Sequence, residues 1–284
     1  MGHLSVIMLL LYAFPISMNI LLELHYLPCI QFFSKFHGFE IIIIDDTEAF
    51  EKQSYRNRCT IAGANGPIDL IVPVHSSRRR LPVKEIEIDN HTNWQHQHWQ
   101  SIKSVYGKTA FYEHYAYKFE TAYTNQCDRL FDFNMDLLMI ILKILKIDSN
   151  RLKLLSENAV LFPSESLAED SEALLSRKSS ESPSTIADPG SLYKGDSEGK
   201  TKILKIDSNR LKLLSENAGS EYLDFKNKIH PKAKFKVIDP GFQPIIYQQA
   251  FTERHGFIPN LSILDLIFNE GPETERILRG SAFV

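Results

Sequence analysis

Phe39–Asp46 reads FEIIIIDD. Four consecutive isoleucines leave no polar alternation, so both faces of the segment call for burial, and β-branched side chains favour a strand. Two carboxylates close the run. Upstream, Ile20–Leu24 is a second short apolar run, ended by the turn-like HYLP of His25–Pro28. Pro28 then opens CIQFFSKF, about two turns of helix. Strand, helix, strand begins a parallel α/β layer. Ligands of such sheets sit beyond the strand C-termini. Asp45, Asp46 and His25 therefore fall beside a candidate crevice, although a solvated strand end is the simpler account of any one of them taken alone.

Working outward, Arg56–Val74 contains two apolar runs around Gly63-Ala64-Asn65-Gly66, a hairpin signal in which Asn-Gly supplies positive φ. HSSRRRLP, from His75 to Pro82, is a basic loop, and KEIEIDN, from Lys84, alternates as a half-wet strand. From Trp94 the periodicity turns helical. Trp94, His98 and Ile102 share one face, as do Trp99, Ile102 and Tyr106, and Gly107 stops the helix. An aromatic helix is expected over Phe111–Tyr123. Another is expected over Arg129–Ile147, with Leu130, Phe133, Leu137, Ile141 and Ile144 as its stripe. Near the C-terminus, Ser262 and Asp265 read as a capping box and Gly271-Pro272 as a stop.

KILKIDSNRLKLLSENA occurs twice without a substitution, at Lys143–Ala159 and Lys202–Ala218. Structural repeats diverge and come in stacks of three or more, so two identical copies point to a recent insertion with a duplicated flank. The residues between them, 160–201, are rich in Ser with Pro, Gly and Glu and read as disordered. Both copies then compete for one structural slot. The expected architecture is α/β: a mixed sheet with a β-hairpin, flanked by helices and interrupted by a disordered insertion. Residues 18–159 form an α/β domain with a helical middle, and 202–284 pack back on it.

The chain has 284 residues, 43% hydrophobic and 24% charged, with net charge −3. That composition supports one sizeable core and gives no global basic field for nucleic acid. Three separated cysteines, Cys29, Cys59 and Cys127, form no disulfide framework and favour a reducing, cytoplasmic compartment. Residues 1–17 are apolar, but no Lys or Arg precedes Lys35. An upstream extension before a start at Met18 is therefore favoured over a membrane segment. No HExxH, CxxC, GxGxxG, Walker loop or GxSxG is present, so neither a metal nor a cofactor is expected.

With one copy and the linker collapsed, the chain resembles the WbqC-like family. The motifs that carry the likeness are ELHYLPCIQFF (Glu23–Phe33), EKQSYRNRCTIAGANG (Glu51–Gly66), LIVPV (Leu70–Val74), WQHQHWQSIKSVYG (Trp94–Gly107) and HGFIPNLSILDLIFNEGP (His255–Pro272). The resemblance implies a bacterial protein of O-antigen or other surface polysaccharide synthesis, and the leading reading within that pathway is a transferase acting on an activated, nucleotide-linked sugar.

Candidate site residues follow from both lines of argument. Arg56 and Arg58, two apart on the expected strand, would share a face and grip a phosphate. Solvated surface ion pairs are the bland alternative. Asn57 lies between them, facing the other way. His98 is the candidate catalytic base and Trp94 a stacking platform, against a packed helix with a hydrogen-bonded core histidine. Asn260 is a further candidate ligand. Cys59, on the core side, reads as a small hydrophobe. The alternatives to an enzyme are a non-catalytic sugar- or nucleotide-binding accessory protein, and an inactive copy disrupted by the insertion.

Overall fold

The computed structural model describes residues 19–75, 81–158, 222–232, 239 and 241–282. Residues 1–17, the Ser76–Arg80 stretch of the basic loop, the 160–201 segment and the second repeat copy lie outside the described residues.

The isoleucine run forms β2 (Ile42–Ile44), and β1 (Asn19–Leu22) lies beside it in parallel register, Ile20 opposite Ile42. Ile20, Leu21, Leu22 and all three residues of β2 are buried, as expected of central parallel strands. Between them runs α1 (Ile30–Gly38), which sinks Phe32, Phe33 and Phe36 into the core. Two strands from far along the chain complete the sheet. β5 (Leu152–Leu154), from the first repeat copy, pairs with β2, and β6 (Tyr222–Asp224) pairs with β1, both parallel. The order is β5-β2-β1-β6. Strand order thus steps outward from β1 to β5 and then reverses to β6, which makes β1/β6 a switch point with a crevice beyond its carboxyl ends.

The antiparallel pair is a separate ribbon, β3 (Arg58–Gly63) with β4 (Gly66–Ile71), so the parallel and antiparallel pairings sit in two sheets. Ala64-Asn65 makes a two-residue turn, and the positive φ falls on Gly66 at 114°. A Cβ on Gly63 would lie 2.7 Å from the Gly66 carbonyl, so only glycine closes this turn.

Three helices form the middle: α2 (Trp94–Tyr106), α3 (Tyr112–Thr124) and α4 (Leu130–Ile144). The α4 stripe is buried at Leu130, Phe133, Leu137 and Ile141 and half-buried at Ile144. After β6, α5 (Ile263–Glu270) and α6 (Thr274–Ser281) pack against α1. The KEIEIDN strand does not form. Val83–Glu85 is a 3-10 turn, and the residues that follow meet their neighbours only through isolated bridges, Glu87 with Arg129 and Ile88 with Val74. Ile86 and Ile88 are buried all the same, so the alternation reported burial without a ladder.

Candidate functional site

A cavity of about 770 Å³ opens at the carboxyl ends of the parallel strands, within the range of small-molecule sites. β2 delivers Asp45 to its wall and β6 delivers Lys226 and Asn227. The loop after β2 supplies Thr47, Glu48, Phe50, Glu51, Lys52 and Arg56, while His75, Leu81 and Ile86 close the far side. Three carboxylates therefore face three cations across one polar crevice.

The wall is cross-braced. Lys226 donates to Asp45 at 2.6 Å, and the Thr47 N–H and hydroxyl donate to the other carboxylate oxygen at 2.9 and 2.8 Å. Burial would raise the Asp45 pKa, but these donors outweigh it and hold the carboxyl below its ordinary value. Arg56 grips Glu48 with both arms of its fork, Nε to Oε1 at 2.7 Å and Nη2 to Oε2 at 2.5 Å. Burial, with Glu23 and Asp45 nearby, pushes Glu48 up in spite of Arg56. Arg56 Nη2 also donates to Asn227 Oδ1 at 3.1 Å, and Nη1 has no hydrogen-bond partner among the described residues. The Asn227 N–H, in a left-handed turn at φ 58°, donates to both oxygens of buried Glu23 at 3.0 and 3.1 Å. His25 Nε2 lies 3.2 Å from Glu23 but out of line for a hydrogen bond, and its ring packs between Phe32 and Tyr55.

The strand-end carboxylates thus sit where the β2 reading put them. Asp45 lines the cavity, Asp46 ties to Lys84 and Ser156 beside it, and His25 is buried behind the wall. The other sequence candidates do not converge. Arg56 precedes β3 and turns inward to Glu48. Arg58, on the ribbon, reaches Asp69 at 3.6 Å, so no shared strand face joins the two. Asn57 is buried, donating to the Val72 carbonyl at 2.9 Å. Asn260 adopts φ 58° and accepts the Gln31 N–H at 2.9 Å, stitching the first turn of α1.

His98 and Trp94 belong to the core. The Tyr26 hydroxyl bridges His98 Nδ1 at 2.9 Å and the Tyr123 hydroxyl at 2.6 Å, and Trp94 stands edge-on to His98 and Phe133. Burial pulls the His98 pKa down to about 4, against a hydrogen bond to the Ile71 backbone. The ring is therefore neutral at pH 7 and enclosed by aromatics. Cys59 is buried, and burial raises its thiol far above the usual range. Asp265 is not the second half of a capping box. Its carboxylate accepts the Tyr247 hydroxyl at 2.7 Å within the core, and burial raises its pKa to about 6. Ser262 alone caps α5, accepting from the Leu264 N–H at 3.4 Å.

Sequence reasoning passed over Glu48, His75, Lys226 and Asn227. FKNKIHP carries no periodicity or motif to mark it, and only the pairing of β6 with β1 brings Lys226 to the crevice. Among the described residues, no cluster of three or more His, Cys, Asp or Glu side chains could hold a metal. Among them, too, no helix is long and apolar enough to cross a membrane.

Comparison with family models places residues 24–174 and 191–277 in a single match. The chain belongs to the WbqC-like protein family. The break in the match, 175–190, falls inside the Ser-rich segment and is narrower than 160–201. Within this WbqC-like chain every residue that lines the cavity falls in the matched stretches. No curated relative and no solved structure matches the chain.

Proposed function

We propose that this WbqC-like protein serves surface-polysaccharide synthesis in the cytoplasm as a transferase that modifies the amine or hydroxyl of a nucleotide-linked sugar. One observation carries the reading: the cavity at the β1/β6 switch point alternates carboxylates with cations that keep donors to spare. Lys226 uses one of its three protons on Asp45, and Arg56 has Nη1 over. Such donors suit a diphosphate, and Asp45 and Glu48 suit a sugar ammonium or a hydroxyl that must lose its proton. We assign the base to Glu48, whose pKa is raised, in place of His98, because Glu48 lines the cavity and His98 does not.

A non-catalytic binding role is the second reading. It is favoured by the internal pairing of the wall, where Asp45–Lys226 and Glu48–Arg56 are already neutralised. A calorimetric panel of nucleotide-linked amino and hydroxy sugars tests both. Lys226→Ala is expected to weaken the tightest ligand at least about 10-fold, the scale of one charge-assisted hydrogen bond. Binding untouched by that change would remove the cavity as the site. Tight binding without modified sugar in mass spectra, across acyl and other group donors, would favour the accessory role.

A further inference from the structure

The slot that holds β5 uses a small set of side chains, all from the first repeat copy. Leu152, Lys153 and Leu154 pair with Ile42, Ile43 and Ile44. Arg151 Nε donates to the Glu40 carbonyl at 2.9 Å. Its Nη2 donates to the Phe36 and Phe39 carbonyls at 2.6 and 2.5 Å, closing the open C-terminal end of α1. The Asp148 side chain accepts the Asn150 N–H at 3.0 Å, and Ser156 donates from N and Oγ to Asp46 at 3.0 and 2.5 Å. Each of these residues recurs 59 positions later: Asp207, Asn209, Arg210, Leu211, Lys212, Leu213 and Ser215. The second copy therefore carries every side chain that the slot engages.

We infer that the slot is bistable: Asp207–Ala218 of the same chain exchanges with Asp148–Ala159 at the edge of β2. Identical residues make identical contacts, so the contacts do not choose between the copies. Loop closure does not choose either. The same 59-residue excursion follows the strand in one arrangement and precedes it in the other, and closure cost depends on length only logarithmically. Exchange from Asp148 onward leaves α4, ending at Ile144, in place. What changes is the tether of β6. Leu154 is separated from Tyr222 by 67 residues, whereas Leu213 is separated from it by eight. Because Lys226 and Asn227 follow β6 at the cavity wall, exchange moves the long excursion away from the site without removing any contact of β2.

Paired substitutions test the inference in the full-length protein. Arg151→Ala is expected to melt with the wild type, because the second copy brings Arg210 to the vacated carbonyls. Arg210→Ala alone is also expected to be silent, and R151A/R210A to melt several degrees lower. In R151A the two copies differ in mass, so hydrogen-exchange mass spectrometry reads them separately. Protection should pass from peptides spanning Asp148–Ala159 to those spanning Asp207–Ala218. Leu152→Asp with Leu211→Asp repeats the comparison through the apolar contact, should the arginine contribute too little to read. The inference is overturned if L152D melts with L152D/L211D, if the first copy stays protected in both single variants, or if rescue appears only in a concentration-dependent dimer.

Discussion

Asp265 offers the sharpest test of the core. It is fully buried on the first turn of α5, accepts the Tyr247 hydroxyl and has Tyr106 and Gln249 alongside. Burial raises its carboxyl from the ordinary 3.8 to about 6. A raised acid pKa means that the folded state holds its proton after the unfolded chain has lost it. The contribution to stability is therefore complete below pH 3.8, declines as pH rises through about 6, and is flat above. At about 1.4 kcal/mol for each pH interval between the two values, the full decline is about 3 kcal/mol. Asp265→Asn keeps the shape and an acceptor for Tyr247 but cannot ionise. Urea denaturation from pH 3.5 to 8 should show the variant gaining about 3 kcal/mol on the wild type across that window, most steeply between pH 4 and 6. A stability difference that does not change with pH would refute the assignment of a buried, proton-retaining carboxyl.

Three further outcomes are expected. His98→Ala should cost about 2–4 kcal/mol in denaturant unfolding, through lost aromatic packing and the Tyr26 bond, while leaving the affinity of any cavity ligand unchanged. Arg56→Ala should cost about 2–4 kcal/mol because it leaves the half-buried Glu48 carboxylate without its partner. R56M/E48M should recover most of that loss, and a double variant as unstable as the single would contradict the pairing. Deleting Val160–Ala218, which joins Ala159 to Gly219, should leave the circular dichroism spectrum unchanged and raise stability by about 1–2 kcal/mol, and an unfolded product would overturn the insertion reading.

The elements that the sequence announced are those whose signal is local. Ile42–Ile44 has no polar residue to expose, and the α4 stripe repeats over four turns. Gly63 and Gly66 bracket a turn whose ends admit only glycine. The site was legible only at Asp45 and Arg56. Lys226 and Asn227 sit more than 170 residues from those partners, and their position depends on which edge β6 joins, which no local pattern encodes. The arginine pair misled because spacing gives a shared face only inside a strand, and Arg56 precedes β3. His98 and Trp94 lie in the aromatic core beside Tyr26 and Phe133. Helical spacing puts them on one face but does not say whether that face meets a ligand or Tyr26 and Phe133.

The outer position of β6 has a consequence for synthesis. Asn19–Leu22 emerges from the ribosome long before Tyr222–Asp224, its partner on that edge, which lies some 200 residues later. At translation rates of about 5–20 residues per second, that edge waits roughly 10–40 s for its partner. Of that delay, the 59 residues of Val160–Ala218 contribute roughly 3–12 s. An open strand edge, apolar over Ile20–Leu22, is a template for pairing with another nascent chain. The yield of this protein should therefore depend on translation speed and on chaperones that shield the first strand.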